Sequence, residues 1–268
     1  MSIIKKIFSA ILPGYRQLQK LKQQVSRLEN IYQTDNITEN YDGSLGFEYR
    51  VTGSVKNSGY NNVIIQIIDG KEHLITEQNP IHGLHIQING NNNVIKIYGC
   101  PTFLHTFILI SDAHDSYTEL KGAFYRHFSL LVLAGKGQQF IDGYNTDYNG
   151  VKFNLGDSNA KVIIGEDCIF SYGIEIWAAD GHSIVNKNGD IMNLPKPITI
   201  GNHCWIGANV KILKGSIIPN GSIVALGSII TGTNTATTIN TVITGGGSKS
   251  GNKFWKKENC FYLKGQNE

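Results

Sequence analysis

From Ile200 towards the C-terminus an aliphatic side chain returns at every sixth residue, at Ile200, Ile206, Ile212, Ile218, Val224 and Ile230. Two positions before most of them stands a small residue: Cys204, Val210, Ser216, Ser222 and Ser228. A period of six fits neither the 3.6-residue turn of an α-helix nor the two-residue alternation of a half-buried strand. It predicts a parallel β-helix, in which each hexad forms one flat face and a turn, and three hexads close a triangular coil. Each coil then buries its aliphatic residues only against the coils above and below it. The register continues upstream through Ile164, Phe170 and Ile176, but the next two positions, His182 and Asn188, are polar. The chain is therefore expected to leave the coil over residues 177–199 as a loop.

The rest of the chain is less periodic. Leu18, Leu21, Val25, Leu28 and Tyr32 follow the three-four spacing of a coiled-coil seam. Two heptads are short for a coil, so residues 1–35 read equally as an oligomerising helix or as an amphipathic helix packed on its own domain. Residues 36–160 are expected to form irregular β-helix coils. Apolar strands are expected at 63–68, 94–98, 128–133 and 151–155, several behind Asn-rich turns such as Asn61-Asn62 and Asn91-Asn92-Asn93. Residues 161–243 carry the regular hexads. Residues 244–268 form a C-terminal cap in which Lys253, Phe254, Trp255, Lys256 and Lys257 either cover the open end, as exposed β edges require, or touch a membrane-associated assembly.

Composition agrees with a mostly β chain. Thirty glycines and only six prolines in 268 residues favour short strands and tight turns over helices. A formal charge of +3, without a basic stripe, gives no support to nucleic-acid binding. The four cysteines, Cys100, Cys168, Cys204 and Cys260, form no C-x-x-C pair, so the expectation is reduced, buried thiols with neither zinc nor disulfides. No apolar run approaches the roughly 20 residues of a membrane-spanning helix, and Ile3–Leu12 lacks a signal cleavage site, which points to a cytoplasmic protein. The glycines at 245–247 lack the strand-to-helix setting of a phosphate-binding loop.

The run Ile164-Gly-Glu-Asp-Cys-Ile-Phe-Ser, the element Asp180-Gly-His182, the segment Ile200-Gly-Asn-His-Cys-Trp-Ile-Gly-Ala-Asn-Val210 and Ile223-Val-Ala-Leu-Gly-Ser-Ile-Ile-Thr231 carry a resemblance. Over about residues 161–243 the chain resembles the hexapeptide-repeat acyltransferases, and in particular bacterial capsule and O-antigen O-acetyltransferases, some of which act on sialic acid polymers. The resemblance implies a left-handed β-helix, a homotrimer, acetyl-CoA as co-substrate, a saccharide acceptor and no metal. It places His182 as the base that takes the proton from the acceptor hydroxyl. A poor nucleophile needs such a base, which typically contributes about 10²- to 10⁴-fold. The alternative for His182 is an ordinary solvent-exposed loop histidine. Asp180 either orients that imidazole or shapes the turn with Gly181. Trp205 falls where the family carries a tryptophan near the thioester, as an N–H donor to the oxyanion or as a ring packed between subunits.

The family's coenzyme A groove maps onto Gly207, Ala208, Leu226, Gly227 and Thr231, residues that also suit the repeat itself. Two departures bear on the coenzyme's 3′-phosphate: Gly232 follows the threonine where relatives have lysine, and Gly245-Gly-Gly-Ser-Lys249 replaces a proline-containing segment, leaving Lys249 as the phosphate partner. Trp177 stands where many capsule enzymes have arginine. His105, His114 and His127 read as surface or structural histidines, and the five-residue histidine spacing of a γ-type carbonic anhydrase is absent. Rival functions are N-acetylation of a nucleotide-linked amino sugar and a non-enzymatic trimeric fibre or adhesin. The polar interruption around His182 argues against a pure scaffold. Peripheral association with a membrane-bound polysaccharide assembly is a further expectation.

Overall fold

The computed structural model describes residues 52–232, 238–245, 247–249 and 254–257. The heptad stretch, with the whole of 1–35, and Cys260 lie outside them. The described chain winds as a parallel β-helix with three faces. The first face is an eight-stranded sheet that stacks Val63–Ile68, Val94–Tyr98, Tyr117–Leu120, Gln139–Ile141, Lys161–Ile164, Ile198–Ile200 and Ile217–Ile218 in parallel. The second runs through Ile169–Phe170, Trp205–Ile206, Ile223–Val224 and Val242–Thr244. The third runs through Ile174–Trp177, Lys211–Leu213 and Ile229–Ile230. Long strands such as Asp147–Leu155 bend to serve both the second and third faces.

Outside the loop the hexad positions point into the lumen. Ile164, Phe170, Ile176, Ile200, Ile206, Ile212, Ile218, Val224 and Ile230 are all buried, as are Cys204, Val210, Ser216, Ser222 and Ser228 two places earlier. Pairing steps explain where the period holds. Thr199 pairs with Ile217, Trp205 with Ile223 and Lys211 with Ile229, each a step of 18 residues or three hexads. Further upstream the step is 22 or 23, as between Tyr117 and Gln139 or Phe124 and Asp147, and 31 in the first coil, between Val63 and Val94. These longer coils enclose a wider lumen, and aromatics fill it. Phe103, Tyr125, Tyr148 and Phe170 are successive partners on the second face, their rings stacked 4.8–5.1 Å apart. The same column continues downstream as Ile206, Val224 and Ile243. The irregular half is thus the same helix with a longer repeat.

Both ends of the described stack finish in antiparallel pairs. Lys71–Leu74 pairs with Val63–Ile68, and Gly247–Lys249 with Val242–Thr244. This removes an open edge that would invite further strand addition. Of residues 253–257, the described Phe254–Lys257 lies on the flank, with Lys257 reaching Asp147 and Asp167 and Trp255 reaching His203. A correction concerns the thiols. Cys168 and Cys204 are buried, whereas Cys100 is exposed.

Two lumen tyrosines create a polar requirement in an apolar core. Their hydroxyls donate to Asp142 Oδ2, at 2.6 Å from Tyr125 and 3.2 Å from Tyr148, and Asp142 is itself 1% exposed. Burial pushes the Asp142 carboxyl up to about 6, against the opposing pull of the Tyr125 hydrogen bond. With the folded value above the unfolded one, the native state holds the proton more tightly. That stabilisation is complete below about pH 4 and is lost as pH rises through about 6, a swing of at most about 3 kcal/mol. Urea midpoints measured from pH 4 to 7 should show this slope, and Asp142→Asn should flatten it.

Candidate active site

The loop leaves after Trp177, at the corner between the third and first faces. Glu175 pairs with Lys211 and Ile163 with Thr199, so the coil that contains the loop takes 36 residues instead of 18. Excising 18 residues would restore the hexad register, which is why His182 and Asn188 occupy rung numbers yet point to solvent. The arm folds back on itself through an antiparallel bridge between Val185 and Ile191, with Gly189 at φ 87° in the tip. Ile184, Val185, Ile191, Met192 and Leu194 are 49–65% exposed along it.

A polar knot closes the neck. Lys214 Nζ binds Asp180 Oδ2 at 2.6 Å and the Asn193 carbonyl at 2.5 Å. Asn193 Nδ2 donates to Asp180 Oδ2 at 2.7 Å and to the His182 carbonyl at 2.8 Å, while Asn193 Oδ1 accepts from the Ile184 amide at 2.6 Å. The Lys214 hydrogen bond holds the Asp180 carboxyl below the usual carboxylate range, partly offset by desolvation. Asp180 therefore ties the loop to the next coil, and its described hydrogen bonds are to Lys214 and Asn193 rather than to the His182 ring. His182 itself is exposed. Sequence reasoning missed Lys214 and Asn193. The signal for Lys214 was the register: Trp177 lies over Leu213, which sets the residues after Trp177 above those after Leu213.

Trp205 stands on the second face, between Ile169 and Ile223, with its side chain outward and 43% exposed. The candidate coenzyme positions Gly207, Ala208, Leu226 and Gly227 stack at the corner between the second and third faces, where the Gly207 amide donates to Val224 O at 2.9 Å and the Gly227 amide to Ala208 O at 2.8 Å. A Cβ on Gly207 would fall 2.7 Å from Val224 O, so that glycine serves coil stacking. A Cβ on Gly227 would meet nothing within 4 Å, and its φ of 69° suits glycine. The backbone there is bare and open, which fits the close approach of an extended thiol arm. Leu226, 70% exposed, stands beside it.

Thr231 follows the third face and shares the corner from which the loop departs. Lys249 pairs with Val242 at the last hairpin. Trp177 lies outward on the third face, its indole N–H donating to Glu175 at 3.1 Å. His105 and His127 form a stacked pair, 5.0 Å between centroids, each pulled below the ordinary imidazole value first by burial. The His114 ring accepts from the Asn91 amide at 3.1 Å. Among the described residues no cluster of three metal-ligating side chains occurs, and no helix is long and apolar enough to cross a membrane.

One chain thus brings His182, Asp180, Lys214 and Thr231 to one corner. It places Trp205, Gly207, Ala208, Leu226 and Gly227 on the second face and the corner beyond, with the third face between the two groups.

No protein-family model matches the sequence. Its curated relatives include a polysialic acid O-acetyltransferase of Neisseria meningitidis, 48% identical over 56 residues, which are 20% of this chain and 26% of the relative. A polysialic acid O-acetyltransferase of Escherichia coli O1:K1 / APEC is 34% identical over 85 residues, 31% of this chain and 27% of the relative. The chain spans about a quarter of the length of these relatives. Among solved structures, the polySia-specific acetyltransferase NeuO shares the fold with a TM-score of 0.59 at 21% identity, over 79% of this chain and 85% of that one.

Proposed function

We propose that this chain is an acetyl-CoA-dependent O-acetyltransferase acting on a sugar hydroxyl of a bacterial surface polysaccharide, with polysialic acid as the first acceptor to test. Sequence likeness to polysialic acid O-acetyltransferases supports the reaction class. The observation that carries the reading is the arm at 178–197, which interrupts an otherwise regular stack to present His182 at its neck. In the proposed reaction the acceptor oxygen attacks the thioester carbonyl carbon as His182 takes its proton. The Trp205 N–H steadies the oxyanion, and collapse breaks the C–S bond, leaving an O-acetyl ester and coenzyme A, whose thiolate recovers the proton.

The residues proposed for the site divide between two corners of one chain, so we place the reaction in the groove between copies of a homotrimer. The apolar arm, uncovered in the single chain, supports that assembly, since a large exposed apolar surface marks an interaction site. Coenzyme A is placed along Gly207, Ala208, Leu226, Gly227 and Thr231, with Lys249 as the phosphate partner.

The test is incubation with acetyl-labelled coenzyme A, polysialic acid and neutral glycans. Label should pass to polysialic acid and be released by mild alkali, as an ester is. Alkali-stable label would indicate an amide and an amino-sugar acceptor, and transfer to none of the glycans would overturn the reading. Mixing inactive His182→Ala chains with inactive Trp205→Ala chains should restore activity if the two residues meet across copies.

A further inference from the structure

The segment Phe254–Lys257 crosses the corner between the first and second faces, where successive coils present Asn145 and Asp147, then Asp167, then His203. Trp255 lies flat on the His203 ring, with centroids 4.2 Å apart and planes 10° from parallel. Its indole N–H donates to the His203 carbonyl at 2.9 Å, while its own carbonyl oxygen lies 3.1 Å from His203 Nε2. The second ring nitrogen, Nδ1, lies 2.7 Å from Asp167 Oδ2. Trp205 is the next aromatic along, 6.2 Å from Trp255 at 46°.

A carboxylate oxygen and a peptide carbonyl oxygen only accept hydrogen bonds. Both ring nitrogens of His203 thus face an acceptor oxygen, and Asp167 is anchored in turn. Its Oδ1 accepts from Asn145 Nδ2 at 2.8 Å and lies 3.6 Å from Lys257 Nζ, which also reaches Asp147 at 3.1 Å. The other charged and titratable groups at this corner are Lys256, which helps line an open cleft of about 430 Å³, Glu166, whose carbonyl accepts from the His203 amide, and the buried thiols of Cys168 and Cys204.

We propose that His203, held between Asp167 and the Trp255 carbonyl, clamps segment 254–257 to the flank and, through Trp255, holds the Trp205 indole in place for acetyl transfer. His203 is then a positioning residue, and this role rests on the assignment of Trp205 made above.

Limited proteolysis of the full-length protein reports the clamp directly. Cleavage near 254–257 should be faster in His203→Gln and in Asp167→Ala than in the unaltered protein. His203→Gln and Trp255→Leu should lower kcat by about 10- to 100-fold, as expected of a displaced catalytic group, and leave KM for acetyl-CoA within about twofold. Unchanged cleavage in both His203→Gln and Asp167→Ala overturns the clamp whatever the activity. An unchanged kcat in both His203→Gln and Trp255→Leu overturns the positioning role. Absence of transfer by the unaltered protein defeats the assignment of Trp205, and with it the positioning role, while the clamp still stands or falls on cleavage near 254–257.

Discussion

Alanine in place of His182 should lower acetyl transfer about 10²- to 10⁴-fold, the usual contribution of a positioned general base. It should move folding stability by no more than about 0.5 kcal/mol. The two expectations follow from different parts of the same residue. The His182 backbone carbonyl accepts from Asn193 Nδ2 and so belongs to the neck of the arm, a bond that alanine keeps. The side chain is exposed, and the knot of Lys214, Asp180 and Asn193 closes the neck without it. Turnover on polysaccharide together with a thermal melt separates the cases. Normal turnover removes His182 from the mechanism. Lost turnover with a lower Tm would instead mean that the ring supports the arm, and that its removal damages structure before chemistry.

The part of the fold legible in the sequence is the part with one repeat length. A residue buried in an 18-residue coil recurs every six positions because three faces divide the coil evenly. Ile200 to Ile230 and the upstream Ile164, Phe170 and Ile176 could therefore be placed inside before any coordinates. Upstream, a 22- or 23-residue coil does not divide into equal hexads. Single strands such as Val63–Ile68 and Val94–Tyr98, and irregular coils, were visible there, but not the coil length that sets one strand on the next. The aromatic column was invisible for the same reason, since Phe103, Tyr125, Tyr148 and Phe170 are neighbours only once the coil length is known.

The arm was legible as two polar residues in rung register. Its fastening was not, because Lys214 meets Asp180 only through the 36-residue step across the insertion. The ring of His203 could not be linked to Trp255, 52 positions away, by any local pattern. Residues fixed by the repeat are readable one coil at a time, whereas residues that fasten an insertion or a strap depend on the stack being complete.

That dependence on neighbouring coils makes Phe153→Ala the most damaging single change expected in the core. Phe153 is fully buried on the third face between Leu130 and Ile176, at the passage from the wide coils to the narrow ones. Its ring centroid lies 4.8 Å from Phe140, 5.3 Å from Phe128, 6.0 Å from Tyr148 and 6.5 Å from Phe170. Removing it takes the common partner from four aromatics, and the backbone ladders on both sides resist collapse into the space. The loss should be about 3–5 kcal/mol, read as a fall in the urea midpoint at unchanged m. Phe153→Leu, which refills most of the volume, should cost much less. Because each coil is held only by the coils beside it, the wide and narrow segments should then begin to unfold separately, and hydrogen exchange should show protection lost first in the strands that flank residue 153. A loss below about 1 kcal/mol would mean that the surrounding rings close the gap, and that the wide lumen is packed more loosely than a crystal-like interior allows.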